Sequence, residues 1–169
     1  CHRLLKACES GLEALVTAAL YTGCRANELT QMAVGDVNLN HCSIFVASPK
    51  GRRTRQVMLP PEGRDFFGAL AAGRSTSERL FLKANGRAWG GEYKTYFQKA
   101  RNAACLPNNL TFHGLRHTYA SQLIQAGASL LAVAEQLGHA NTHTVSTTYG
   151  HLSPRHLSRE ITQHFEPLF

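Results

Sequence analysis

Tyr149 stands in the stretch STTYGHL, among small polar residues and two positions before a histidine. A phenol is a poor nucleophile by itself, because its pKa is about 10. It becomes a reagent where cationic groups stabilise both the phenolate and the phosphoryl group it attacks. The chain offers such groups in four places. In TGCRANEL, Arg25 follows a glycine-bearing turn and Glu28 lies three residues on, where it can hold the guanidinium from the same helix face; a plain surface ion pair fits the same spacing. Lys50, Arg52, Arg53 and Arg55 fall within six residues of one another. A turn this basic can reach a phosphate backbone, or simply sit in solvent. In TFHGLRHTYA, His113 and Arg116 are three apart and share a helix face. Arginine there presents a planar fork suited to two phosphate oxygens, and histidine can move a proton near neutral pH. The bland reading of this pair is two interface residues with a satisfied histidine. Finally, LGHANTHTVSTTYGH puts His139 just after a helix-ending glycine and ten residues before Tyr149.

His113 and His117, and likewise His139 and His143, have the i, i+4 spacing of metal ligands on a helix. No acidic residue stands near either pair as the glutamate does in H-E-x-x-H, so no metal site is expected.

These residues need elements to position them. GLEALVTAALYTG has apolar residues at helical spacing and Gly23 as its stop, and a second helix follows through RANELTQM. SIFVAS and TRQVML are short, rich in β-branched residues and flank the polar turn PKGRR, which reads as a hairpin. PPEGRDFFGALAAG opens with proline at a favourable helix start. RLFL is expected as a third strand, and GEYKTYFQKARNAA, HGLRHTYASQLIQAG and SLLAVAEQLG as further helices, the last two closing on glycine. The fold class expected is α+β and mostly helical: a helical bundle with a small antiparallel three-stranded sheet. No internal repeat or low-complexity tract interrupts it.

The 169 residues, 43% of them hydrophobic, can bury one proper core, so a single domain over 1–169 is expected. The chain starts at Cys1 and not at methionine, which reads as a piece of something longer. No apolar run approaches the ~18 residues of a membrane span and nothing resembles a signal peptide, so an intracellular, cytoplasmic setting is expected. Five scattered cysteines without a C-x-x-C pair read as small buried hydrophobes. Lysine plus arginine exceed aspartate plus glutamate by 18 to 11, a formal charge of +7 that favours a polyanionic partner, nucleic acid first.

In order, TGCRANEL, a lysine in a hairpin, HGLRH, LGH and YGH resemble the catalytic domain of the tyrosine recombinases, the phage integrase family. The resemblance covers about residues 5 to 158. It implies that Arg25 and Arg116 clamp the scissile phosphate and that Tyr149 attacks phosphorus to form a 3'-phosphotyrosyl bond, freeing a 5'-hydroxyl. It also implies that Lys50 protonates that leaving oxygen, that His113 assists proton transfer at the tyrosine, and that His139 hydrogen-bonds a nonbridging oxygen. Glu28 would orient Arg25 from behind, and Lys50, Arg52, Arg53 and Arg55 would touch DNA.

With arginines meeting the phosphate charge, neither metal nor ATP nor any other cofactor is implied. The partner implied is double-stranded DNA, held by a tetrameric synapse, with the isolated domain monomeric. The source implied is bacterial or phage-encoded. Family members carry an N-terminal DNA-gripping domain for which this chain has no room. The interval from His139 to Tyr149 is one residue longer than the family spacing, so the loop carrying the nucleophile is expected to be bulged or mobile. Ser153 and Pro154 start a tail helix over 153–169, which could pack on its own domain or be exchanged between protomers. Two alternatives stand beside site-specific recombination: topoisomerase IB-like cutting and rejoining, and a DNA-binding module with a dead site. The second would have lost one of the phosphate-contacting residues, and all are present.

Overall fold

The computed structural model describes residues 1–9, 11–47, 55–139 and 142–150. Helix α1 (His2–Ala7) leads into α2 (Leu12–Thr22), whose apolar positions Leu12, Leu15, Val16 and Ala19 are all buried. Gly23 stops α2 in the left-handed region, at φ 63°, where its N–H donates to the Ala19 carbonyl. That conformation is open to glycine at little cost and turns the chain sharply. Helix α3 (Ala26–Gln31) therefore starts only three residues later, with Arg25 at its N-cap.

The sheet has the order β1 (Val37–Asn38), β2 (Ser43–Val46), β3 (Arg55–Met58), antiparallel throughout. Val46 pairs with Arg55 and Ile44 with Val57, so Arg55 and Val57 share the inner face. The hairpin expected from the sequence is present, and its turn, with Lys50, Arg52 and Arg53, lies outside the described residues. The third strand is not where RLFL predicted it. Arg79 and Leu82 form only isolated bridges, to Ala33 and Ala88, and the third strand is Val37–Asn38. Leu80 and Phe81 are both buried, which denies RLFL the alternation of a strand with one wet face. A two-residue strand such as VN is too short to show a period of two at all.

Helices α4 (Pro61–Ala71) and α5 (Tyr93–Ala103) add Phe67, and Tyr93 and Phe97, to the apolar core. Phe67 is fully buried and meets Phe66 and Phe81 edge-on, with ring centroids 5.4 and 6.1 Å away. Helix α6 (Phe112–Gln125) follows, anchored by Phe112 against the rings of Tyr93 and Phe97. Helices α7 (Leu130–Leu137) and α8 (His143–Tyr149) come last.

The chain divides into two compact units, Cys1–Tyr119 and Ala120–Phe169, the boundary falling inside α6. The continuous apolar core, from Leu4 to Leu115, belongs to the first. In the second, Val133, Ala134, Leu137 and Val145 are buried along α7 and α8. The tail helix expected over 153–169 lies outside the described residues. Of the cysteines, only Cys24 is buried; Cys1 and Cys105 are exposed, a correction to their reading as core hydrophobes.

A side chain at position 23 must adopt the left-handed conformation, at a cost of roughly 1–2 kcal/mol. Gly23→Ala is accordingly expected to lower the urea midpoint with an unchanged m-value; an unaltered midpoint would show that α2 can end another way.

Candidate active site

The turn after α2 brings Arg25 and Glu28 together. Thr22 donates its hydroxyl to the Ala18 carbonyl and accepts from the Cys24 N–H, which fixes the chain between Gly23 and Arg25. Arg25, extended at the N-cap, donates its backbone N–H to Glu28 Oε2 at 2.7 Å and its Nη1 to Glu28 Oε1 at 3.1 Å. Glu28 thus holds Arg25 from the same helix, as its spacing suggested.

Arg55 was not foreseen in this role. It was expected among the DNA contacts of the basic turn; instead it opens β3 and aims its guanidinium inward, Nη1 to Glu28 Oε1 and Nη2 to Glu28 Oε2, both at 2.8 Å. The cause is strand alternation: Arg55 shares a face with buried Val57, so its side chain points at α3. The signal was present in TRQVML, where Arg55 and Val57 are two apart.

Arg116 reaches the same turn from α6. It is 3% exposed and donates Nη1 to the Gly23 carbonyl at 2.8 Å, across 93 residues of sequence. Three guanidinium groups against one carboxylate leave a net +2 in this cluster. His113, one turn before Arg116, is exposed, and its ring lies edge-on to that of His117 at 5.1 Å. Beside it, a pocket of about 330 Å³ is lined by Tyr93, Phe97, Leu110 and Phe112 together with Lys94 and His113.

Electrostatics follow from this crowding. Burial pushes the Glu28 carboxyl up, but the hydrogen bonds from Arg55 and the Arg25 N–H, with both positive charges, outweigh it and hold the pKa at about 2. Burial, and then repulsion from Arg25, bring Arg116 down to about 10, which leaves it charged at neutral pH. His113 is lowered by partial burial, by His117 and by the charges of Arg116 and Arg25. A neutral imidazole able to accept a proton results. Burial raises the Cys24 thiol, which keeps it protonated beside Arg55 Nη2, 3.8 Å away.

Two further sequence-predicted residues, His139 and Tyr149, belong to the second unit, while Lys50, Arg52 and Arg53 lie outside the described residues. Gly138 ends α7 in the left-handed region at φ 69°, and the His139 N–H donates to the Ala134 carbonyl at 2.9 Å. Tyr149 is the last residue of α8 and is 7% exposed. The segment expected as a bulged loop before the tyrosine is therefore helical from His143 onward. The sequence HTVSTTY is dominated by β-branched and hydroxyl residues of low helix propensity, which conceals a helix of only seven residues. Among the described residues, no group of three or more His, Cys, Asp or Glu side chains gathers where it could hold a metal ion.

The profile of the phage integrase family matches residues 1–156. The chain belongs to that family. It is 31% identical over 166 residues to the tyrosine recombinase XerC of Lactobacillus leichmannii, covering 90% of this chain and 54% of the relative. It thus spans about half the length of the curated relatives it matches. The catalytic domain of bacteriophage HP1 integrase superposes with a TM-score of 0.75 at 28% identity, covering 99% of this chain and 91% of that one. The pre-cleavage complex of the site-specific recombinase XerH bound to its difH substrate gives 0.68 at 26% identity, covering 98% of this chain and 52% of that one. The fold is that of a tyrosine recombinase catalytic domain: eight described helices and a small three-stranded antiparallel sheet.

The depressed Glu28 pKa predicts acid sensitivity. Its folded value lies below the ordinary carboxylate value of 4.5, so its contribution to stability is present above about 4.5 and is lost as pH falls towards 2. Urea unfolding across that range is expected to show a steeper acid decline in wild type than in Glu28→Gln. Parallel curves would mean that Glu28 does not titrate as its four hydrogen bonds require.

Proposed function

We propose that this chain is the catalytic domain of a site-specific DNA recombinase or integrase, which cuts and rejoins DNA by transesterification without metal or ATP. The observation that carries the reading is the gathering of Arg25 and Arg116, far apart in sequence, at one turn with His113 beside them. Fixed positive charge at that spot would stabilise the extra negative charge of a five-coordinate phosphorus. In the proposed step, Tyr149 Oη bonds to phosphorus and the 5'-oxygen leaves. His113 takes the phenol proton, Lys50 protonates the departing oxygen and His139 hydrogen-bonds a nonbridging oxygen. Reversal by a 5'-hydroxyl of another strand would join DNA in a new arrangement.

The proposed partner is double-stranded DNA, in keeping with the +7 charge and with the DNA complexes known for XerH. Lys50, Arg52 and Arg53 are proposed as phosphate contacts, in a cytoplasmic setting. A tetrameric synapse of this domain on DNA is proposed, with the tail over 153–169 linking protomers. Residues 1–169 are proposed as a single catalytic domain. No described helix is long and apolar enough to cross a membrane.

Incubation with a nicked suicide duplex carrying the recombination site, in EDTA, is expected to trap a denaturation-resistant protein–DNA adduct. Tyr149→Phe should abolish it, and Arg116→Ala should reduce it by roughly 100- to 1,000-fold with the fold kept. An adduct from Tyr149→Phe equal to that of wild type would refute the nucleophile assignment.

A further inference from the structure

Glu28 offers its two oxygens to two arginines on unequal terms. Arg55 takes both oxygens with both prongs at 2.8 Å, whereas the Arg25 side chain reaches only Oε1, with Nη1, at 3.1 Å. Oε2 is further occupied by the Arg25 N–H at 2.7 Å. Exposure follows the same split: 44% for the Arg25 side chain, 17% for Arg55 and 4% for Glu28. A fully buried carboxylate with an arginine at hand favours the two-pronged geometry, because paired parallel N–H···O bonds best offset its desolvation. One arginine can have that geometry, and Arg55 holds it.

We propose that Arg55 is a positioning residue for Arg25. By occupying both oxygens of Glu28 through its fork, it prevents Glu28 from chelating Arg25, so that Arg25 is tethered by one prong and keeps the rest of its guanidinium turned outward. The proposal rests on the reading of Arg25 as a phosphate clamp. Arg55 Nη2 also lies 3.8 Å from Cys24 Sγ, and β3 supplies its backbone. Sheet and helix α3 are thereby joined through one carboxylate. Without the Arg55 guanidinium the cluster falls from +2 to +1, and of the cluster's remaining cations Arg25 is the one already bonded to Glu28. Arg25 would then be drawn inward, away from any phosphate.

The test is arginine-selective labelling of the folded protein with phenylglyoxal, with modification at Arg25 followed by mass spectrometry. The chains compared are wild type, Arg55→Met, Arg55→Lys and the double variant Arg55→Met/Glu28→Gln. Arg25 is expected to be modified several-fold more slowly in Arg55→Met, to recover in the double variant, and to fall between in Arg55→Lys, whose ammonium restores charge without the fork. An unchanged or faster rate at Arg25 in Arg55→Met overturns the proposal. Should circular dichroism show Arg55→Met unfolded, Arg55→Lys decides in its place: slower labelling of Arg25 supports the proposal, and an unchanged rate overturns it. Adduct formation on the nicked duplex is expected to fall roughly tenfold in Arg55→Met, less than the loss of a whole oxyanion donor, and to be partly restored in the double variant. Full adduct yield alongside slowed labelling would also overturn it. If wild type forms no adduct on any duplex, the functional reading fails, while the labelling still decides the position of Arg25.

Discussion

The carboxylate of Glu28 is the constraint on which the site depends. A buried charge must be paired and fully hydrogen-bonded, or its desolvation is ruinous. Glu28 meets that demand with four donors from two arginines, one on its own helix and one on a strand 27 residues away. Any displacement of β3 relative to α3 would leave the charge short of partners. The ion pair therefore sets where the hairpin emerges as well as how Arg25 stands.

Around that pair the backbone does the remaining placement. Gly23 in its left-handed turn ends α2, brings Arg25 to the N-cap of α3, and turns its carbonyl to Arg116. Burial of Arg116 is tolerable because its neighbours include Glu28, whose charge partly offsets the repulsion from Arg25 and Arg55. Partial burial first, then His117 and the charges of Arg116 and Arg25, depress His113. An arrangement built this way fixes an excess of positive charge at one turn, which an anion would relieve.

Much of this was legible in the residues. The 3.6-residue spacing in GLEALVTAALYTG marks α2, the closing glycine of HGLRHTYASQLIQAG marks the end of α6, and the β-branched runs around PKGRR mark the hairpin. Glu28 three residues after Arg25 was readable from helical spacing as well. Arg55 was missed, since a residue at the junction of turn and strand can be assigned to either by type alone, although its alternation with Val57 in TRQVML carried the signal that it turns inward. Val37–Asn38 and α8 escaped because two residues and seven are too few for a period to declare itself against low propensity. The link between Arg116 and Gly23 spans 93 positions and leaves no local trace at either end.

The account turns on Glu28 and Arg55 forming one coupled unit, and a double-mutant cycle of unfolding free energies at neutral pH measures that coupling directly. With Glu28→Gln, Arg55→Met and the double variant unfolded in urea, the account predicts a coupling of about 1–3 kcal/mol, each single change leaving a buried group that the second change relieves. Additivity within about 0.3 kcal/mol, the behaviour of independent sites, would contradict it.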